Sequence, residues 1–258
     1  MKERIVVKVG SAVLAREGQL NVERMQNLVD LIVRLRERYE VMLVTSGAVA
    51  TGQSIVPSIS RATTAGKQAL AAIGQAELIN RYKKKFEVHG VHVAQILLTA
   101  DDFDSFKRSE NAKTAINTLL EHGIVPIINE NDSVVVDEIL RGDNDQLSAQ
   151  VAHYFDAGLL VILSDIDGYY DRDPNKYPDA KMYKIVNHIP EEKLAEAYNP
   201  NHPHATGGIV TKLKAAYFLM RHGRRMLLAS GFDLSAASAF LLEGRHEACT
   251  LFVPGNAT

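Results

Sequence analysis

The chain has little of what several protein classes require. Its 258 residues include no tryptophan and one cysteine, Cys249, and the formal net charge is −2. A single cysteine excludes a disulfide framework and a cysteine-based zinc site, and it fits a reducing compartment. A nearly neutral chain also lacks the basic face that nucleic acid requires, so we expect no nucleic-acid partner.

Long hydrophobic runs are missing as well. The N-terminal segment MKERIVVKVG begins with basic residues, and Lys8 interrupts its short apolar run. This pattern is neither that of a signal peptide nor that of a membrane span. The sequence therefore predicts a cytoplasmic protein with no membrane partner.

Short apolar runs alternate with longer helical patterns along the chain. Several runs are apolar at nearly every position, which is typical of parallel strands covered on both faces. We expect strands at Arg4–Val9, Val41–Thr45, Val91–Leu98, Ile124–Ile128, Leu159–Leu163, Arg225–Leu228 and Thr250–Val253. We expect helices at Val22–Arg38, Thr64–Phe86, Asn111–His122, Gln146–Tyr154, Val210–His222 and Leu234–Leu242, with glycine stops at Gly90, Gly123, Gly158 and Gly223.

This order predicts a doubly wound α/β fold, which is a three-layer αβα sandwich with a mostly parallel central sheet in a single domain. The polar, proline-containing stretch from Asp165 to Gly208 is predicted as loops, with a short helix near Glu191–Tyr198. Ligands of open α/β sheets bind beyond the carboxyl ends of the strands. The residues that follow each strand are therefore the candidates for a site.

The first predicted strand contains Lys8 near its end, and Gly10 and Ser11 follow the strand. Glycine lets the backbone approach an anion, and the N–H groups that follow can form an anion-binding nest. A lysine in an apolar strand is costly without a partner. The alternative is that Lys8 lies at a sheet edge and extends its ammonium into water.

Ser46 follows the second strand in a small-residue turn that offers hydroxyl and N–H groups to a polar ligand. The alternative is that Ser46 simply caps the next helix.

Lysines 83–85 form a run that we interpret as a solvated helix face.

Two clusters of acidic and amide residues, Asn129–Ser133 and Arg141–Asp145, flank a hairpin-like stretch. Such residues are common in turns, but two clusters beside one buried strand indicate a site. We expect Asp132 and Asn144 to hold the ammonium and polar groups of a small zwitterion, and Asp145 to point at lysines. The alternative for Asp145 is that it caps the helix it begins.

A nucleotide pocket is predicted after the fifth strand. Ser164 and Asp165 are followed by two tyrosines, which suits ribose hydroxyls and a base, although an Asx-turn with aromatic packing is the alternative. A glycine-rich helix entry with a lysine one turn in suits a polyphosphate. This entry consists of Thr206, Gly207, Gly208, Ile209, Val210, Thr211 and Lys212.

The ordered set of these segments resembles the amino acid kinase family over nearly the whole chain. The segments are KVGSAVL, VTSGAVA, INENDSV, RGDNDQLSA, LSDIDGYY and TGGIVTK. INEND followed by GDND is the most specific part, and it resembles the branch that phosphorylates the γ-carboxylate of glutamate to begin proline synthesis. Aspartokinases and acetylglutamate kinases more often have a second glycine where Ser11 stands.

The resemblance implies a role for each matching residue. Lys8 would bind the ATP phosphates, and Asp145 would orient Lys8 and Lys212. L-glutamate would be bound by Ser46, Asp132 and Asn144. The nucleotide would be bound by Lys8, Gly10, Ser11, Ser164, Asp165 and residues 206–212. The implied cofactors are ATP and Mg²⁺, with no metal site made by the protein itself. An acceptor-binding lobe would cover about 1–158 and a nucleotide-binding lobe about 159–258.

The resemblance also implies partners. Proline would be a feedback inhibitor that acts through the Thr51–Thr64 loop. The chain would form a homo-oligomer, and it would hand its product over to glutamate-5-semialdehyde dehydrogenase. Two departures stand out: Ser164 replaces a frequent threonine, and Tyr198–Ala205 replaces a Gly/Ser-rich loop. A C-terminal PUA module, which many relatives carry, is expected to be absent.

Two other functions remain open at the level of sequence. One is a kinase of the same fold with another acceptor, such as a carbamate, an isoprenoid phosphate or a nucleoside monophosphate. The Asp/Asn-rich hairpin argues against the isoprenoid, which needs an apolar pocket. The other is a non-catalytic ligand sensor, which we expect to have lost Lys8, Asp145 or Lys212; all three are present.

Overall fold

The computed structural model describes residues 2–16, 19–134, 144–195 and 208–255. Its central sheet has eight strands in the order β5-β6-β4-β1-β7-β9-β10-β8. These strands are β1 (Glu3–Val9), β4 (Tyr39–Val44), β5 (Val93–Leu98), β6 (Val125–Glu130), β7 (Leu159–Ser164), β8 (Ile185–Val186), β9 (Arg225–Ser230) and β10 (Cys249–Phe252). Neighbours pair in parallel except β9 and β10. Two further strands, β2 (Ala15–Arg16) and β3 (Gln19–Leu20), form a separate antiparallel ribbon.

Helices cover both faces of the sheet. They are α1 (Ser11–Leu14), α2 (Val22–Leu35), α3 (Ala48–Ile55), α4 (Thr64–Glu87), α5 (Ala100–Asp104), α6 (Phe106–Glu121), α7 (Asp145–Tyr154), α8 (Glu191–Ala195), α9 (Ile209–Arg221) and α10 (Ser235–Ser238), which continues as a π-helix at Ala239–Glu243. None of the helices in the described part of the chain is long and apolar enough to cross a membrane.

Alternate residues of the strands enter two separate cores. Val7 and Val9 of β1 pack with α2 and α4, whereas Val6 packs on the other face with α6, α7 and α9. Both faces of the strand are buried, which explains why the strand segments are apolar at nearly every position. The predicted three-layer sandwich with a mostly parallel sheet is confirmed.

The predicted strands and helices are present, but α6 begins at Phe106 instead of Asn111, and the helix predicted at Leu234–Leu242 is the short α10 followed by a π-helix. Several short elements were missed. Helix α3 covers the first part of the predicted Thr51–Thr64 loop, so that prediction was wrong for residues 51–55. A Cβ atom on Gly52 would lie 1.9 Å from the Leu70 carbonyl oxygen, and one on Gly74 equally close to that of Ala48. Helix α3 is therefore held by close backbone contact with α4, which a local pattern does not reveal. In the predicted loop region after Asp165, the structure adds the short strand β8.

Three of the four predicted glycine stops adopt the left-handed conformation, with φ values of 66° to 70° at Gly90, Gly123 and Gly223. Gly158 does not; Asp156, with φ of 58°, takes this conformation after α7. Aspartate tolerates the left-handed region better than most side chains. A Cβ at Gly158 would lie 2.8 Å from the Glu3 carboxylate, so the exposed Glu3 side chain would have to move to admit a larger residue.

Candidate active site

Lys8 lies in the centre of the sheet. Its strand, β1, pairs with β4 on one side and β7 on the other, so the alternative of an edge lysine is wrong. The residue is 3% exposed, and its Nζ donates to Asp145 Oδ1 at 2.5 Å. A buried ammonium requires such a partner, so this strand position is explained by the aspartate.

The Asp145 carboxylate lies between two lysines. Asp145 is the first residue of α7 and is fully buried, and its Oδ2 accepts from Lys212 Nζ of α9 at 3.2 Å. The N-cap position belongs to Asn144 and has no side-chain cap bond, so the capping alternative for Asp145 is wrong. Among the described residues, the two ammonium groups therefore share this one carboxylate.

Thr211, which the sequence predicts on the phosphates, also contacts this cluster. Its Oγ1 lies 2.9 Å from Asp145 Oδ2 and 2.9 Å from the Gly208 carbonyl oxygen. A hydroxyl carries one hydrogen, so it donates to one of the two at a time. Its neighbours Ile209 and Val210 begin α9, whose N-cap, Gly208, provides no side-chain cap. The first N–H groups of this helix therefore suit an anion.

A group of neutral amides lies beside the charged cluster. Asn144 is 7% exposed, and its Nδ2 donates to the Thr45 carbonyl oxygen at 2.7 Å and to Asn129 Oδ1 at 2.8 Å. Asn129 Nδ2 in turn donates to Gln75 Oε1 at 2.7 Å. Asn129 belongs to β6 and not to the loop after it. The sequence reasoning missed Asn129 and Gln75; an asparagine inside an apolar strand was the available signal for the first.

Ser46 lies at the end of β4 and is 8% exposed. The next helix, α3, has Gly47 as its N-cap, with φ of 103° and no side-chain cap bond, so the capping alternative for Ser46 is wrong. The preceding Thr45 Oγ1 lies 2.9 Å from the Tyr82 hydroxyl of α4. Burial raises the pKa of the Tyr82 phenol above its usual value, so this hydroxyl stays protonated.

Asp132 lines a cavity of about 250 Å³ that also contacts Gln75 and Gln95. Burial raises the pKa of the Asp132 carboxyl to about 6. Glu130 lines the same cavity and is 5% exposed, and its Oε1 atom has no hydrogen-bond partner among the residues that the structure describes. This end of β6 therefore concentrates carboxylates that a cationic group would stabilise.

A larger cavity of about 820 Å³ follows β7 and is lined by Asp165, Tyr169 and Tyr170, together with Gly208 and Ile209 of the α9 entry. This volume is in the range of small-ligand sites. Ser164 is buried, and its Oγ donates to Asp165 Oδ1 at 2.8 Å.

The two tyrosines of this cavity are held in place by neighbouring side chains. The Tyr170 hydroxyl donates to the Asp167 carboxylate at 3.0 Å, and the Tyr169 ring packs 5.3 Å from that of Tyr183. A Cβ on Gly168 would lie 2.8 Å from the Met182 sulfur. The tight turn between the aspartates and the tyrosines therefore requires glycine.

Gly10 links the end of β1 to β7, because its N–H donates to the Leu163 carbonyl oxygen of β7 at 3.1 Å. An anion near this turn must therefore use the N–H groups that follow, beginning with the exposed Ser11.

Thr206 and Gly207 lie outside the described residues, as does the Tyr198–Ala205 segment. Within the ranges that the structure describes, no group of three or more His, Cys, Asp or Glu side chains could hold a metal ion.

The chain belongs to the amino acid kinase family, whose model matches residues 3–230. Among curated proteins it is 52% identical to a glutamate 5-kinase of Wolinella succinogenes, covering 98% of both chains. It is 49% identical to a glutamate 5-kinase of Leishmania donovani, with 97% of this chain and 95% of the relative covered. A third glutamate 5-kinase, from Helicobacter hepaticus, is 44% identical, with coverage of 99% and 97%.

Solved structures of lower identity share the fold. The UMP kinase of Ureaplasma parvum superposes with a TM-score of 0.64 at 18% identity, covering 98% of this chain and 99% of that one. An isopentenyl phosphate kinase of T. acidophilum, solved as a product complex, also has a TM-score of 0.64, at 14% identity, with 96% and 99% covered. At these identities the likeness shows the fold alone.

Proposed function

We propose that this chain transfers the γ-phosphoryl group of ATP to the γ-carboxylate of L-glutamate, giving γ-glutamyl phosphate as the first step of proline synthesis. The observation that carries the proposal is the buried Asp145 carboxylate between Lys8 and Lys212. Helix α9, which carries Lys212, also lines the cavity of about 820 Å³. Asn144, the chain neighbour of Asp145, belongs to a group of neutral amides. The identity of 52% to a glutamate 5-kinase supports glutamate as the acceptor.

The residues present fit ATP with Mg²⁺. Two buried lysines and the uncapped start of α9 favour a polyanion. Mg²⁺ is commonly held by substrate phosphates and one or two carboxylates, and Asp165 at the cavity is the carboxylate we assign to it. The ion would neutralise negative charge on the phosphates.

The chemistry requires positioning and charge stabilisation. A glutamate γ-carboxylate has a reference pKa of about 4.3, so it is ionised at neutral pH and needs no general base. The barrier comes from repulsion between this anion and the polyphosphate. Lys8 and Lys212 place positive charge in a buried region, where it acts more strongly than in water. Asp145 accepts from both lysines, so it keeps their ammonium groups in a fixed arrangement.

The acceptor is assigned to the amide side of the cluster. We propose that Ser46, Asp132 and Asn144 bind glutamate and that Ser164, Asp165 and residues 206–212 bind the nucleotide. Strands β1, β4, β5 and β6 come from residues before 159, and β7 to β10 from those after. We therefore propose an acceptor-binding lobe at about 1–158 and a nucleotide-binding lobe at about 159–258.

A coupled assay of ADP release tests the function. Glutamate, aspartate, N-acetylglutamate and carbamate are offered as separate acceptors, and glutamate should give the highest kcat/KM. Lys8→Ala should lower kcat by about 100- to 1,000-fold, because it removes a preorganised charge. Lys2→Ala, which removes a lysine at the exposed start of β1, is the matched control. Near-normal turnover of Lys8→Ala would contradict phosphoryl transfer at this site.

Three further properties belong to the same proposal. Proline is a feedback inhibitor acting at residues 51–64, and a proline titration that leaves activity unchanged would exclude it. The chain forms a homo-oligomer, which light scattering would detect. The labile acyl phosphate passes to glutamate-5-semialdehyde dehydrogenase in the cytoplasm, so adding that enzyme together with a reduced nicotinamide cofactor should oxidise the cofactor and release phosphate from the acyl phosphate faster than hydrolysis alone.

A further inference from the structure

We propose that Gln75 and Asn129 are positioning residues that fix the orientation of the Asn144 amide, so that the site selects an acceptor with a free ammonium group. The inference rests on the proposed function, because it places Asn144 at the acceptor. Gln75 belongs to α4, Asn129 to β6, and Asn144 directly precedes α7. The contacts therefore join three elements that are distant in sequence.

The Thr45 backbone sets the polarity of the chain of amides. A backbone carbonyl only accepts hydrogen bonds, so the Asn144 atom 2.7 Å from the Thr45 carbonyl oxygen must be Nδ2. The second hydrogen of the same Nδ2 is donated to Asn129 Oδ1 at 2.8 Å. Both Asn144 N–H bonds are then used, and Oδ1 is the polar atom of this side chain that is left for a ligand.

Asn129 transmits this polarity to Gln75. Its oxygen accepts from Asn144, so its Nδ2 is the group that donates to Gln75 Oε1 at 2.7 Å. Asn129 is 2% exposed, and a flipped amide would set its NH₂ group against that of Asn144 where water cannot accept from either. Gln75 therefore stabilises the Asn129 orientation that Asn144 needs.

This arrangement has a consequence for substrate choice. An amide oxygen on Asn144 and a carboxylate on Asp132 both accept, and an ammonium group donates three hydrogen bonds. An acylated nitrogen has lost its positive charge and offers fewer hydrogens. The amide relay of Gln75, Asn129 and Asn144 therefore favours a free amino acid over an N-acylated one or over an analogue without nitrogen.

The test compares two variants of the same residue. Gln75→Met keeps the length of the side chain but removes the acceptor, and Gln75→Glu keeps an acceptor oxygen for Asn129. One lost hydrogen bond predicts that Gln75→Met raises the KM for glutamate about fivefold, with kcat and the KM for ATP within twofold of wild type. Gln75→Glu should stay within twofold of wild type. The inhibition constant of glutarate, which is glutamate without its amino group, should not change in either variant.

Gln26→Met is the matched control. Gln26 Oε1, like Gln75 Oε1, accepts a hydrogen bond from another element, because it accepts from Lys85 Nζ at 3.0 Å and so joins α2 to α4. An unchanged KM for glutamate in Gln75→Met would overturn the relay. An equal rise of the KM for glutamate in Gln75→Met and Gln75→Glu would overturn it too. So would a parallel rise in the inhibition constant of glutarate, since either result indicates general loosening of the site. A wild-type chain that turns over no glutamate contradicts the proposed function instead.

Discussion

The side chains of two adjacent residues, Asn144 and Asp145, contact two buried regions of different physical character. Around Asp145 the buried groups are charged, with Lys8 and Lys212 on either side. Around Asn144 they are neutral amides and a backbone carbonyl. Under the proposed function, the charged groups would act on the transferred phosphoryl group, because a preorganised ion acts strongly in a buried site. The neutral hydrogen bonds would act on the choice of acceptor, because they depend on direction more than on charge.

The largest expected effect comes from neutralising the charged region. Asp145→Asn keeps the side-chain shape but leaves two buried ammonium groups without their shared carboxylate. We expect kcat to fall about 100-fold or more and the free energy of unfolding to fall by about 3–5 kcal/mol, measured by urea denaturation. Asp156→Asn after the same helix alters only surface pairs with Lys113 and Arg224 and should change neither. A normal kcat in Asp145→Asn would remove the distinction between the two regions.

A smaller and different effect is expected on the amide side. Asn144→Ala removes two hydrogen bonds and the Oδ1 acceptor, so the KM for glutamate should rise about tenfold while kcat changes by less than about threefold. Steady-state kinetics with glutamate and with ATP as the varied substrate measure this. If Asn144→Ala lowers kcat as strongly as Asp145→Asn does, the two neighbours act as one unit.

The acceptor region should also respond to pH through Asp132. Its pKa of about 6 lies above the usual value because of burial, so the carboxylate is ionised at pH 7 and becomes protonated as the pH falls through 6. The KM for glutamate should therefore rise between pH 7 and pH 5, while the substrate carboxylate stays largely ionised. Asp132→Asn should show a high KM that no longer changes over this range. A flat profile in the wild type would indicate that Asp132 does not face the ammonium group.

The smallest effect is expected at the solvated lysine run of α4. Lys83 Nζ lies 3.6 Å from Glu87 Oε1, and both side chains are at least half exposed. Exposed pairs of this spacing contribute about 0.3–0.5 kcal/mol, so Lys83→Ala should change stability by no more than that and leave the kinetics unchanged. A measurable loss of activity would show that this face also contributes to binding.

The site could be predicted from the sequence mainly where polar residues interrupt apolar strands. Lys8 in an apolar run indicated a partner, and Asp145 in the structure is that partner. The positions of Ser46 and Ser164 at the ends of buried strands followed from the same pattern. Gln75 carried no such signal, because a glutamine in an amphipathic helix is equally compatible with a solvent-exposed position.

Particular predictions failed where a contact between distant elements overrode the local pattern. Helix α3 was missed because its close approach to α4 depends on Gly52 and Gly74 acting together. Gly158 was predicted as a helix stop, but Asp156 takes the left-handed conformation after α7.

The sequence by itself determined the α/β order, the apolar strands and the polar residues at their ends, because burial on two faces and helix periodicity are local signals. Only the tertiary structure decided that Lys8 lies in the middle of the sheet and that the Asn144 amide is fixed through Asn129 and Gln75. The pairing of Lys8 with Asp145, 137 positions away, was implied by the family resemblance, and the structure gives its geometry. These features depend on distances between elements far apart in the chain. No local propensity encodes such distances, and the packed layers of the sandwich set them.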